Sequence, residues 1–301
     1  MYSESTDASD PFADARAANQ STAESEAPAT ARLNITVGDR VRSLTYRVRY
    51  ELSRTVRWSR GMVREIPAEN LPELSPVQRR RVISLIARYH VRFEHRYQKD
   101  TAVRNYAYLD VLDRAREALN WAVPQGKTVY DLGSATFSYA ASLHAFFKPQ
   151  RLVAVEIDAY RLYHHWRSRL DLARGYVRDL PHADYVVADY RTLRFTADVI
   201  LAWYPFVTPK RLLAWRLPLT LFEPTKLFEQ ASRSLAVDGT FVMVNYSVDE
   251  LQVARQGAIQ AGLHCLGRHI HQQPLRARSQ PAVLTLWKRR AGATPPASSS
   301  A

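Results

Sequence analysis

The chain has 301 residues, 46 % of them hydrophobic, with a single cysteine and a formal net charge of +13. That is enough apolar material for one principal domain with a full core plus a smaller appendage. A lone Cys265 excludes an internal disulfide and a cysteine-built zinc cluster, and no run approaches the roughly 18 apolar residues that span a bilayer.

Residues 1–32 are rich in Ser, Ala, Thr, Asp and Glu, lack the basic start and apolar run of a signal peptide, and predict a disordered acidic tail. The last stretch, 291–301, predicts a second disordered tail. With the cysteine usage, this gives the expectation of a reducing, cytoplasmic setting and no transmembrane segment. Charge is unevenly spread: 31–105 carries seventeen Arg or Lys against seven acids, whereas 1–30 carries one Arg against six. Such basicity suits an anionic partner, whether nucleic acid, membrane surface or a phosphorylated small molecule. RNA contact through the Arg-rich 40–104 segment is one expectation and a solvated face the other; no aromatic-plus-basic RNA module is present.

Residues 33–122 predict an Arg-rich helical extension. From Asp39 to Arg64, Val41, Leu44, Val48, Leu52, Val56 and Met62 recur at helical spacing, with Arg42, Arg49, Arg54, Arg57, Arg60 and Arg64 mostly off that face. A basic amphipathic helix can lie on an anionic membrane; the expectation taken here is a helix packed by its apolar face on the main domain. Ser75-Pro76-Val77-Gln78 announces a second helix, with an N-cap Ser, a first-turn Pro and a capping Gln. It would turn Val82, Ile83, Leu85, Ile86, Tyr89 and Phe93 inward. A third, near Thr101 to Trp121, carries Tyr108, Leu112, Ala115 and Leu119 in a stripe and stops before Pro124-Gln125-Gly126.

Residues 123–290 change rhythm. Short β-branched runs (TVYDL, LVAVEI, YVVAD, DVILAWY, TFVMVNY) alternate with amphipathic segments, which predicts an α/β, doubly wound, mostly parallel sheet. GLHCLGRHI and PAVLTLWKR are joined by too short a loop for a crossover helix, so they should pair antiparallel.

Ligands of open α/β sheets bind at the carboxyl ends of the strands. Those ends carry Asp131 and Gly133, then Glu156, then Asp189, then Trp203-Tyr204-Pro205-Phe206. Glu156 follows the first loop by some twenty residues, the position from which a carboxylate accepts both hydroxyls of a ribose; Asp189 could accept from an adenine amine. Each also has a plainer reading: Asp131 as a helix cap, Asp189 as a turn residue. Glu156 after Val-Ala-Val has to be exposed or hydrogen-bonded.

The ordered series from Tyr106 to Arg289 resembles the class I S-adenosylmethionine-dependent methyltransferases. The shared features are a preceding helix, an acid-x-Gly start, an acid closing the second strand, a late turn at Asp238-Gly239 and a final antiparallel hairpin. The resemblance implies seven strands in the order 3-2-1-4-5-7-6 and S-adenosyl-L-methionine as cofactor. Asp131 and Gly133 would sit against its methionine end, Glu156 at the ribose, Ile157 against the adenine and Asp189 at the adenine amine. Ala135 lies in the loop and Trp203 beside the reactive end. The family loop is acid-x-Gly-x-Gly-x-Gly; here Ala135 and Phe137 replace the later glycines. Ala135 is accommodated if its φ stays negative, and Phe137 packs under the loop or narrows the pocket.

AWYPFV differs from the Asn-Pro-Pro-aromatic motif of amine methylases, with Trp203 at the Asn position and Tyr204 at the first Pro. Tryptophan only donates, which disfavours amine methylation by that geometry and leaves Tyr204 as the candidate acid/base or orienting group. The stretch TPKRLLAWRLPLTLFE predicts a lid or acceptor-binding insertion over the site, with Lys210, Arg211 and Arg216 available for an acidic acceptor, the plainer reading being a solvated covering helix. The function expected is methyl transfer to a small-molecule or anionic acceptor. The alternatives are a catalytically inactive methyltransferase-like scaffold and an RNA-binding or RNA-modifying protein, with a nicotinamide oxidoreductase behind them.

Overall fold

The centre of the molecule is the strand β1 (Thr128–Leu132), flanked in parallel by β2 (Arg151–Glu156) and β4 (Ala197–Trp203). In the computed structural model, which describes residues 35–272, 275 and 281–290, β3 (Ala183–Val187) pairs parallel with β2, and β5 (Leu235–Asn245) parallel with β4. The hairpin of β6 (Leu263–His271) and β7 (Ala282–Arg289) closes the sheet, β7 running antiparallel to both β5 and β6. The seven-stranded order is β3-β2-β1-β4-β5-β7-β6, as the sequence leads one to expect. Asp238-Gly239, expected as a turn, lies inside β5, where the β4 register shifts between Ala197 and Val199. The two predicted tails, 1–32 and 291–301, fall outside the described residues.

The strands form because nearly continuous Val, Ile, Leu and Ala runs are buried on both sheet faces, as parallel strands covered by helices require. One face packs under α2 (Pro76–Tyr89), α3 (Lys99–Ala118), α4 (Ala140–Phe147) and α5 (Arg169–Val177). Phe93, Tyr106, Leu109, Leu112 and Phe147 lie in that layer, each such buried side chain contributing roughly 1.5–3 kcal/mol. The other face packs under α7 (Pro224–Ser234) and α8 (Val248–Gln260), with Phe228, Phe241 and Trp287 between them. The capping box of Ser75 and Gln78 opens α2 as expected, but Ile83 points to solvent while Val82 and Leu85 are buried.

A buried ionic cluster ties α2 and α3 to the last strands. Arg81 pairs with Asp110 and, at 2.8 Å, with Asp113; Asp113 also accepts from Arg88 at 2.8 Å and from the Tyr89 hydroxyl at 2.6 Å. His271 Nε2 on β6 lies 3.1 Å from Asp110.

The first helix departs most from expectation. α1 (Val37–Val56) opens with a capping box of Thr36 and Asp39 and ends at Arg57, whose φ is 52°. It stops well short of Arg64, and Met62 is not part of it. Its apolar stripe faces outward: Val37, Val41, Leu44, Val48, Leu52 and Val56 are 56–79 % exposed. The inward residues are Ser43 and Tyr50. Ser43 Oγ accepts from Leu219 N at 2.8 Å, and Tyr50 packs with Leu212 and Leu217. Beyond α1 the chain is strapped to α5: Ser59 Oγ and the amides of Arg60 and Gly61 donate to the Asp171 carboxylate, the amides at 3.1 Å, and Val63 N donates to Asp171 O at 3.0 Å.

Candidate functional site

At the carboxyl edge of β1, β2 and β4 the chain leaves a cavity of about 460 Å³, within the size range of small-molecule sites. Gly133, Ala135, Glu156, Ile157, Asp189, Trp203 and Tyr204 all line it, so the strand ends bring together the residues singled out by their positions. Asp131 lies just behind, fully buried, joined to the wall through Tyr139, whose hydroxyl donates to Asp131 Oδ2 at 2.6 Å.

The loop after β1 shows how the missing glycines are handled. Gly133 has φ 74°, and an added Cβ there would meet open space, so the backbone itself borders the cavity. Ala135 has φ 50° and Phe137 φ 53°. The expectation of a negative φ at Ala135 is therefore corrected: the loop keeps a left-handed backbone in which an L side chain is strained by about 1–2 kcal/mol. Phe137 resolves in favour of packing underneath. Its ring is buried at the core and stands edge-on to Tyr139 at 5.5 Å.

Glu156 is fixed before any ligand arrives. Its Oε2 accepts from Ala135 N at 2.7 Å and its Oε1 from Asp158 N at 2.8 Å, with Arg169 Nη1 3.4 Å away. A carboxylate offers about four acceptor sites, so Oε2 keeps a lone pair for a hydroxyl in the cavity. Arg169, 2 % exposed, also reaches Asp158 at 3.5 Å and donates to Tyr163. Asp189 stands two residues beyond the end of β3, not on it. Its carboxylate is held by Arg191 at 2.6–3.0 Å, and Arg191 also pairs with Glu223.

Around the far end is an aromatic wall. Tyr108 stacks on Tyr139 at 4.2 Å and meets Trp203 edge-on at 4.5 Å; Tyr204, with φ 55°, stacks on Tyr246 at 4.1 Å. Among the described residues, Trp203 Nε1 on the cavity wall and Asp131 Oδ1 behind it are buried without a hydrogen-bond partner. Burial, with some help from the Glu156 charge and against the Tyr139 hydrogen bond, raises the Asp131 carboxyl to about 7.

The lid expected after β4 is formed by α6 (Pro209–Ala214) and the turn Leu219–Leu221. It presents Leu212, Trp215, Leu217 and Leu221 to the cavity, beside Phe206. Its cations are otherwise engaged than expected: Arg211 pairs with Glu250 and stacks over Tyr246 at 4.3 Å, and Lys210 and Arg216 are not among the lining residues.

Sequence reasoning missed Tyr139, Arg169, Arg191 and Tyr185, whose hydroxyl donates to Ala135 O at 2.6 Å. The tyrosines carry no motif, and single arginines do not stand out in a chain with 42 Arg and Lys.

No protein-family model matches the chain, and no curated protein does. Among solved structures, similarity is found to TrmN from Thermus thermophilus (16 % identity, TM-score 0.44, covering 60 % of this chain and 49 % of that one). A SAM-dependent methyltransferase from Aquifex aeolicus gives 14 %, 0.43, 58 % and 88 %. An S-adenosylmethionine-dependent methyltransferase from Clostridium acetobutylicum gives 11 %, 0.42, 61 % and 91 %. The strand order β3-β2-β1-β4-β5-β7-β6, with β7 reversed between β5 and β6, is the one that the resemblance read from the sequence implies.

Proposed function

We propose that the cavity holds S-adenosyl-L-methionine and that the protein transfers its methyl group to an acceptor seated under the α6 lid. The observation that carries this reading is the pre-oriented Glu156 carboxylate, facing the cavity beside the Gly133 turn, with the buried Trp203 Nε1 unpartnered among the described residues on the same wall.

The residues fit the group. Glu156 would accept from the ribose hydroxyls, Ile157 would lie against the adenine, and Asp189, steadied by Arg191, would accept from the adenine amine. The Gly133 backbone would approach the methionine end, where the ammonium would draw the Asp131 carboxyl towards its charged form. When bound, the cofactor supplies an electrophilic methyl on a sulfonium. The aromatic faces of Tyr108, Trp203 and Tyr204 suit a cation of that kind. Transfer then needs alignment more than covalent help. Tyr204, at the strained turn after β4, is positioned to orient the acceptor or to exchange a proton with it. The apolar lid side chains favour an acceptor with an apolar portion and keep water from the methyl.

Calorimetric titration with S-adenosylmethionine, S-adenosylhomocysteine and NADH tests this. The first two should bind and NADH should not. Glu156→Ala should lose about 1.5–3 kcal/mol of affinity, the range for hydrogen bonds to a charged group. Absence of binding, or binding indifferent to Glu156→Ala, would overturn the reading.

A further inference from the structure

On α1 the side chains advance by 100° per residue, which sets Val37, Val41, Leu44, Val48, Leu52 and Val56 on one outward stripe. Arg40, Arg47 and Arg54 run along one edge of it and Arg42 and Arg49 along the other, all exposed. The opposite side carries Ser43 and Tyr50, through which the helix is fixed to the body. The orientation is thus set by the fold: the apolar side cannot turn inward without breaking those contacts.

The stripe does not end with the helix. Leu52 and Val56 share a cleft with Trp58, which is 45 % exposed; Trp58 Nε1 donates to the carbonyl of Trp166, itself 67 % exposed. Two amphipathic indoles therefore flank the C-terminal end of a helix about 30 Å long.

We propose that α1 lies in the surface of an anionic membrane, its stripe in the boundary between acyl chains and headgroups and its two arginine rows on lipid phosphates. Arginine stems run along the apolar face and carry their guanidiniums out to the headgroup level, and indoles favour the same depth. The helix has the composition of an in-plane segment: a large apolar face, cationic borders and modest overall hydrophobicity. No described helix is long and apolar enough to cross a membrane. Of its two acids, Asp39 is engaged in the N-terminal capping box and Glu51 stands at the stripe's edge.

Other occupants fit less well. A second copy would bring arginine rows against arginine rows. A nucleic acid wants contiguous cations, whereas here an apolar strip divides them. The inference stands apart from the cofactor reading, since none of the stripe residues lines the methyltransferase-type cavity.

The test is co-flotation of the full chain with vesicles of mixed phosphatidylcholine and phosphatidylglycerol, against vesicles of phosphatidylcholine alone. The chain should float with the mixed vesicles and be released as salt rises from about 0.1 M to about 1 M, where the screening length falls to roughly 3 Å. Leu44→Asp with Val48→Asp should abolish flotation while the thermal melt stays unchanged, both sites being exposed. Arg47→Gln with Arg54→Gln should weaken binding about thirtyfold, at roughly 1 kcal/mol per surface arginine. No flotation with the mixed vesicles, or flotation unaltered by Leu44→Asp with Val48→Asp, overturns the proposal. So does a dimer in sedimentation equilibrium that these substitutions dissociate without any vesicle binding, or retention on single-stranded RNA without vesicle binding.

Discussion

Among the described residues the Tyr139 hydroxyl is the one hydrogen-bond partner of the buried Asp131 carboxylate, at 2.6 Å on Oδ2, and Oδ1 has none. A carboxyl raised to about 7 from an ordinary 3.8 keeps its proton in the folded state over a range where the unfolded chain has lost it. Stability from this group is therefore highest in acid and declines as pH rises from about 4 to 7. The decline reaches at most about 4 kcal/mol. Asp131→Asn should remove that slope and stabilise the fold at neutral pH. Urea denaturation of both proteins at several pH values checks it; parallel pH profiles would refute the assignment.

The loop replacements should separate into two opposite effects. Ala135→Gly relieves a left-handed alanine worth about 1–2 kcal/mol, offset by about 0.4–1 kcal/mol from the freer unfolded chain. It should be neutral or mildly stabilising. Phe137→Gly, although it restores a glycine to a positive-φ site, empties a buried ring from the core and should cost about 3–5 kcal/mol. Thermal melts of the two variants compare them directly.

In the cluster joining α2, α3 and β6, burial alone would raise the Asp113 carboxyl, but hydrogen bonds from Tyr89, Arg88 and Arg81 hold it below the ordinary value. Its contribution is thus present above about pH 4 and is lost as pH falls below that. Asp113→Ala should destabilise by about 3–5 kcal/mol at neutral pH by stranding Arg81 and Tyr89. The difference from the parent should shrink in acid, as chemical denaturation near pH 3 would register.

Gly175 on α5 is a contact point for the strap. A Cβ there would meet the Val63 carbonyl oxygen at 1.7 Å, so Gly175→Ala must push the 59–63 segment away from Asp171. A loss of about 1–3 kcal/mol is expected, as for overpacked sites. Faster proteolytic cleavage within 57–64 should accompany it.

Much of this architecture was legible. The β-branched runs marked β1 to β5, since parallel strands covered by helices are largely apolar, and the short loop after GLHCLGRHI marked the antiparallel hairpin. The site residues converged because strand ends in such a sheet share one edge. The exception is α1, where helical periodicity revealed the stripe but not its direction. Periodicity identifies an apolar face, and burial is then assumed; here Ser43 and Tyr50 hold the inward side, a polar seam that gives no periodic signal. Asp131 and Glu156 were visible as strand-end carboxylates, whereas their partners Tyr139 and Arg169 were not, since a hydrogen bond between distant positions leaves no local pattern. Ala135 and Phe137 looked like departures from a glycine loop, but the backbone there has kept the shape without the residues.

The seam under α1 has a consequence for the order in which the molecule opens. α3 buries eleven of its residues, whereas α1 buries two and touches the lid mainly through a serine and a tyrosine. Segments with few buried apolar contacts open by local fluctuation, well before the global transition. Amide protons of α1 should therefore exchange with solvent far sooner than those of α3. Because Tyr50 packs on Leu212 and Leu217, each such opening also uncovers the roof of the cavity. Exchange at α1 and access to the interior are therefore expected to rise and fall together.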